Sequence, residues 1–456
     1  MSLQDELRVP RSPEHRPRRP RRWDLVLTWA VLLAPALVLA GVLVARQQTG
    51  DLEARLVRDA RELLSRRHPR PVHVDAPSPG AIGDAIPAHL PSLDAAAQEL
   101  AKDEPALRRT REVVAGSAPL DTLPPWTAAA LQRLGPDLDA LLAATRAERA
   151  DFPATRDCQS LLDDGGWAGW QLAATLAGVR MRTSLAAGEP EAALRDGLDG
   201  LALGRDLAVA RFLVGRMEGA EVVARLAPPM VDAIDALPGA AERRDAARRV
   251  RIVRDALPPL SRTFRDAATV SSVYMSAVLP ATVLDALGPC ASAVRHGGAT
   301  RAALWQRLMF RDGWRGLREA QDALTAAADL PEPVRSDAFE DIARRALRQV
   351  NPLAAIAAPG HGKYARRSDA ARLRLDALVL AAGAGAFRDE RRRWPSSVAE
   401  LAEAGELTTD EAGRLAGARL ERVDDRRALS IAVPLPHADV AQPDETLAIV
   451  LRGAAR

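Results

Sequence analysis

Between Leu25 and Ala45 the chain reads LVLTWAVLLAPALVLAGVLVA, twenty-one residues without a charge, closed by Arg46. As a helix at ~1.5 Å per residue this run spans roughly 30 Å, the thickness of a bilayer's hydrocarbon core. A soluble helix of this length ordinarily carries a polar face, and this one has none, so a transmembrane helix is expected over the competing reading of a fully buried soluble helix. Pro35 and Gly41 do not weigh against it, because both occur readily in membrane helices. Trp23 and Trp29 lie near its first turn, where indole rings favour the interface.

Flanking charge sets the expected orientation. Seven arginines (Arg8, Arg11, Arg16, Arg18, Arg19, Arg21, Arg22) precede the run, and four (Arg46, Arg55, Arg58, Arg61) follow it closely. That bias places the N-terminus in the cytoplasm and the rest outside. A cleaved signal peptide competes, with Val38-Leu39-Ala40 as its cleavage site, but the apolar run exceeds the roughly 7–15 residues of such peptides. No cysteine follows the run, which disfavours a lipoprotein anchor. Ala267 to Leu287 is interrupted by Ser271, Ser272, Ser276, Pro280 and Asp285, and Leu375 to Phe387 is too short to span; both read as core helices. The expectation is a single-pass protein of a bacterial inner membrane, with its C-terminal region periplasmic.

The net charge of +3 follows the same division. The first 24 residues hold those seven arginines against Asp5, Glu6, Glu14 and Asp24, a surplus that accounts for the whole net charge. The remaining chain is neutral, so composition gives no basic face with which to displace counterions from nucleic acid. The bilayer and envelope proteins are the expected partners. In an oxidising compartment Cys158 and Cys290, the only cysteines, can pair and close a loop worth about 4–5 kcal/mol, or remain two separate buried thiols.

The expected fold is mainly α: a single transmembrane helix, an irregular helical array, and a small C-terminal α+β unit. Residues 1–24 form an Arg/Pro-rich tail with too few apolar positions to fold alone, and 25–45 the membrane helix. Residues 46–92 form a juxtamembrane helix and a linker with six prolines between Pro69 and Pro91. Residues 93–365 form a helical domain. Within it Leu172, Leu176 and Val179 mark one helix face; Gly188-Glu189-Pro190 breaks the helix; Leu194, Leu198 and Leu201 mark the next. This hairpin, with its AAGEPEAAL turn, resembles tetratricopeptide-type repeats, although no second copy recurs at a fixed period. Residues 366–456 form the α+β unit. Leu375, Leu378, Val379 and Ala382 mark a helix face; SVAE from Ser397 and TTDE from Thr408 are capping boxes. Leu420 and Val423, then Leu429, Ile431 and Val433, then Leu447, Ile449 and Leu451 alternate as an antiparallel sheet.

The segment from Asn351 to Leu401 (NPLAAIAAPGHGKYARRSDAARLRLDALVLAAGAGAFRDERRRWPSSVAEL) resembles the C-terminal part of uncharacterised exported bacterial proteins. Those carry an Asn-Pro, an Arg/Leu/Ala helix and a Tyr-Pro-x-Ser-Leu-x-Glu-Leu element. That element is also similar to one in pseudopilins of type II secretion. Here Trp394 replaces the tyrosine and Val398 the leucine, whereas Pro395, Ser397, Glu400 and Leu401 match. The resemblance covers roughly a fifth of the chain and implies a shape without a reaction. Pseudopilins place this unit directly after their membrane helix; here about 300 residues intervene, and no prepilin-type cleavage signal precedes the anchor.

No catalytic, cofactor-binding or metal-binding set is expected. The histidines (His15, His68, His73, His89, His296, His361, His437) show no helical zinc spacing. His68, His73 and Asp75 fall in the Pro-rich linker, which cannot hold ligands rigidly. Gly360-His361-Gly362-Lys363 lacks the spacing of a phosphate loop and reads as a helix connection. No Gly-x-Ser-x-Gly elbow or Ser-x-x-Lys pair occurs, and Cys158 stands beside Asp157 and near Asp164, a setting that disfavours a thiolate. Asp163-Asp164 reads as a helix end and Asp424-Asp425 as a hairpin turn. Trp305, Leu308, Met309 and Phe310 read as core, with a partner groove or a membrane-facing patch as the alternative. These absences favour a non-catalytic envelope protein that presents a binding surface. The alternatives are a hydrolase-like enzyme whose acidic residues converge only in the fold, and an accessory part of a secretion assembly.

Overall fold

A computed structural model describes residues 68–151, 167–210, 212–275, 304–348, 361–423, 428–436 and 445–452 in continuous stretches. The membrane helix expected at Leu25 to Ala45 lies outside the described residues, as do Cys158 and Cys290. Among the described residues no helix is long and apolar enough to cross a membrane.

The chain is mainly helical, with a small sheet at its C-terminal end. It enters on β1 (Ser78–Ala81), followed by α1 (Ile86–Leu100), α2 (Glu104–Ala115), α3 (Pro125–Ala144) and β2 (Ala147–Arg149). β1 and β2 pair in parallel, Ser78 opposite Ala147. The preceding residues join the same ribbon: Ala150 N–H donates to the His68 carbonyl at 2.9 Å, and Arg70 N–H to that of Glu148 at 3.2 Å. The proline-rich stretch is thereby docked on the domain, and α1 runs across residue 92, where composition placed the linker's end. Pro87 costs no hydrogen bond there, since the first helical turn has donors without intrahelical partners.

The hairpin forms as α4 (Trp167–Ala186) and α5 (Pro190–Ala210). Gly188 adopts φ of 76°, the left-handed conformation that ends a helix, and Glu189 N–H returns to the Ser184 carbonyl at 2.8 Å. α4 is apolar on every side, with Leu172, Leu176, Val179 and Met181 buried, so it has neighbours all round. α1, α5 and α6 (Phe212–Asp235) cover it. α5 and α6 pack backbone to backbone: a Cβ at Gly219 would stand 2.1 Å from the Gly204 carbonyl oxygen.

Next come α7 (Ala240–Asp255), α8 (Leu260–Met275), α9 (Leu304–Ala327), α10 (Val334–Leu347) and the long α11 (His361–Arg391). The apolar stretch Leu375 to Phe387 forms the inner part of α11, buried against α6 and α7. Of the Ala267 to Leu287 stretch, the part up to Met275 lies in α8. Gly360 and the stretch before it lie outside the described residues, whereas His361-Gly362-Lys363 is the first turn of α11 rather than a connection between helices. Trp305, Leu308, Met309 and Phe310 fall within α9, and their side chains lie outside the described residues.

The C-terminal part contains α12 (Val398–Glu403), α13 (Thr409–Arg414), β3 (Arg419–Val423), β4 (Ala428–Leu435) and β5 (Glu445–Leu451). The strands pair antiparallel in the order β3-β4-β5. Ser397 Oγ accepts from Glu400 N–H at 3.1 Å, and Thr408 with Glu411 closes a reciprocal capping box. The Glu400 carboxylate instead accepts from Ser396 N–H at 2.6 Å, so the SVAE box closes on only one side. Trp394 is buried before α12, with the Arg388 guanidinium over its ring at 4.8 Å. One apolar core runs from Ile82 to Leu451 through α4, α6, α11 and the sheet.

Candidate functional site

His73 is the residue around which the site is built. The β-ribbon fixes its backbone segment, and its Nε2 lies 2.7 Å from Asp199 Oδ1 on α5. Both side chains are almost fully buried, at 1% and 2% exposure. Arg146, just before β2, grips the same carboxylate from its other side, Nε to Oδ1 at 3.0 Å and Nη2 to Oδ2 at 2.5 Å. This fork fits the flat carboxylate, and its hydrogen bonds raise the Arg146 pKa further. The carboxylate only accepts, so His73 Nε2 carries a proton and donates, while Nδ1 is buried without a hydrogen-bond partner among the described residues.

Above this triad opens a cavity of about 420 Å³. One wall is the first half of α5, which contributes Glu191, Leu194, Arg195 and Leu198 at helical spacing. The facing wall is the first half of α7, with Ala241, Glu242, Asp245 and Arg249; Leu237, Val74 and His73 complete the lining. Asp245 is spoken for: Arg249 Nε donates to it at 2.6 Å and Arg248 Nη2 at 2.6 Å. Burial pushes its pKa up, but these two hydrogen bonds outweigh burial and hold it below the usual range. Among the described residues Glu191, Arg195 and Glu242 carry no ion pair. With Asp199 held by Arg146 and Asp245 by Arg248 and Arg249, the unpaired charges of the lining are two carboxylates and one guanidinium, beside Leu194, Leu198 and Leu237.

Behind His73 lies a second buried group. Arg70 Nη1 is 2.7 Å from Asp206 Oδ1, and Arg205 Nε donates to the same oxygen at 2.8 Å. Arg205 and Asp206 are both 0% exposed. Burial lowers the Arg70 pKa to about 10, with Asp206 resisting the shift. His68 joins this region: its N–H donates to Asp151 Oδ1 at 2.8 Å, and its Nδ1 lies 3.0 Å from Arg262 Nη2.

The remaining sequence candidates separate cleanly. His89 pairs with Asp137 at 2.8 Å on a half-exposed surface. His361 packs on Phe264 with ring centroids 5.3 Å apart, and burial lowers its pKa to about 4, which keeps it neutral. Asp75 is exposed and meets Arg248 and Arg249 only at 3.4 Å. His15, His296, His437, Asp157, Asp163, Asp164, Asp424 and Asp425 lie outside the described residues. Among the described residues no group of three or more His, Cys, Asp and Glu side chains could hold a metal ion. His68 and His73 are rigidly held, yet each is engaged with its own partner and they do not form a ligand set.

Asp199, Arg146 and the free charges of the cleft had no motif to mark them. The signal within reach was Asp199 and Asp206, seven residues apart on one side of an otherwise Leu/Ala-rich helix; buried acids at that spacing require partners. Comparison with protein families, curated proteins and solved structures finds no match for this chain.

Proposed function

We propose that this chain is a membrane-anchored, extracytoplasmic protein that works by binding partner proteins rather than by catalysis. In this reading the Leu25 to Ala45 helix holds it in the inner membrane with the N-terminal tail in the cytoplasm. The helices from α1 to α11 form an irregular, tetratricopeptide-like array, and the C-terminal α+β unit completes the surface. The carrying observation is the cleft between α5 and α7, lined by leucines and by three charged side chains, Glu191, Arg195 and Glu242, that make no ion pair among the described residues. A catalytic reading finds less support there. Among the described residues no serine, threonine or cysteine lines the cavity, Asp199 and Asp245 are clamped by arginines, and His73 donates to Asp199.

The test is purification of the full chain from detergent-solubilised membranes, with and without the Glu191→Arg/Glu242→Arg pair. A stoichiometric partner that is retained by the native chain and lost from the variant is the expected result. Recovery of the native chain only as a lone monomer contradicts the proposal. Reporter fusions after Ala45 check the topology: activity on the extracytoplasmic side is expected, and cytoplasmic activity overturns it.

A further inference from the structure

We infer that residues 68–80 form a releasable strap, which lifts off the domain as one unit ahead of its unfolding and takes a wall of the α5–α7 cleft with it. The inference goes beyond the binding role proposed above and stands without it.

Polar contacts hold the strap in place of a core. Between His68 and Gly80 only His68 and His73 are buried. Val72 and Val74 are half-buried, and Pro69, Pro71, Ala76, Pro77 and Pro79 are exposed. The apolar core begins at Ile82, just past the strap. α4, by contrast, buries Trp170, Leu172, Leu176, Val179 and Met181. Buried apolar surface is the main resistance to local opening, and the strap has little of it.

What the strap has is hydrogen bonds. Its backbone joins residues 146–150 through Arg70 N–H to the Glu148 carbonyl, Ala150 N–H to the His68 carbonyl and Ser78 N–H to the Arg146 carbonyl. Arg70 Nη2 donates to the Thr145 carbonyl at 2.6 Å. Two side chains reach α5, Arg70 to Asp206 at 2.7 Å and His73 to Asp199 at 2.7 Å. Neither acid depends on the strap alone. Arg205 donates to Asp206 and Arg146 to Asp199, so each carboxylate keeps a guanidinium when the strap leaves. Release therefore strands no buried charge, the event that would make it prohibitive. The docked contact is also incomplete: among the described residues Arg70 Nε and Asp206 Oδ2 are buried without a hydrogen bond, and water admitted on release satisfies both.

The prolines ease the return. Pro69, Pro71, Pro77 and Pro79 restrict the free strap to extended conformations, so redocking forfeits less conformational entropy. Release also changes the cleft. His73 and Val74 line it, so their departure widens it and uncovers Asp199. The strap leads back to the N-terminal part of the chain, so a pull from that side acts on the cleft wall.

The test is hydrogen–deuterium exchange of the full chain in detergent, resolved to single amides by fragmentation mass spectrometry. In the native chain the Ser78 and Ala150 amides are expected to share one degree of protection, at least about tenfold below that of α4. Arg70→Ala removes a side-chain contact and leaves Asp206 with Arg205. It is expected to speed exchange at Ser78 and Ala150 alike, by about tenfold, with α4 unchanged. Pro77→Gly alters an exposed residue that makes none of these contacts, and is expected to speed both amides several-fold through the entropy of the free strap. That variant and the native comparison keep the test decisive if Arg70→Ala fails to fold. Protection of the two amides equal to that of α4, or acceleration of Ala150 without Ser78, overturns the strap. So does a variant in which α4 accelerates as much as the strap.

Discussion

Two of the buried groups of arginines and acids among the described residues are finished to different degrees. In the C-terminal group Asp376, 0% exposed, accepts from Arg254 Nη1 at 2.7 Å and from Arg414 Nε at 2.8 Å. Glu411 accepts from Arg254 at 2.6 Å, from Arg251 at 2.8 Å and from Thr408 N–H at 2.8 Å. None of these five side chains leaves a buried polar atom without a partner. In the group behind His73 the opposite holds: Arg70 Nε, His73 Nδ1, Arg205 Nη2 and Asp206 Oδ2 are all buried without a hydrogen bond. A completed cluster fixes the α+β unit to α7 and α11, whereas the group behind His73 keeps buried polar atoms without partners. Residue types are nearly the same in both; satisfaction distinguishes clamp from site.

The largest expected effect breaks the clamp. Asp376→Ala leaves Arg254 and Arg414 facing each other without their shared carboxylate, and loss of one partner of a buried pair typically costs about 3–5 kcal/mol. Urea denaturation should show that drop; a change under about 1 kcal/mol would mean the clamp is solvent-relaxed.

Acid sharpens the same point. Burial raises the Glu411 pKa, but bonds from Arg251, Thr408 N–H and Arg254 prevail and hold it at about 2 against an ordinary 4.5. A carboxylate held low contributes stability that is complete above pH 4.5 and is lost as pH falls towards 2, here about 3 kcal/mol. Stability measured across that window should decline less steeply in Glu411→Gln than in the native chain.

Gly219→Ala tests packing between the two groups. The new methyl would collide with the Gly204 carbonyl, a backbone atom that cannot swing away, so about 1–3 kcal/mol should be lost as α5 and α6 separate. Because α5 carries both Asp199 and the cleft wall, near-ultraviolet circular dichroism should change with it.

Much of the architecture could be read from pattern. The α4–α5 break at Gly188, the Thr408 capping box and the three C-terminal strands follow from local rules of period, capping and alternation. The docking of the Pro69 to Pro91 stretch could not. Its prolines match linker composition, and the contacts that hold it come from residues 146–151, a separation no local window captures. The candidate site was hidden for the same reason. His73 meets Asp199 across 126 positions, and each residue alone looks like one solvated polar side chain.

The central claim is that completed charge clusters hold this fold while uncompensated charges bind. It is tested most directly by measuring two properties of one variant, Glu191→Arg/Glu242→Arg: the denaturation midpoint and the affinity for the partner that the native chain retains. The account predicts stability within about 0.5 kcal/mol of the native chain, as for exposed surface changes, together with clearly weakened binding. A substantial loss of stability with affinity unchanged would contradict it.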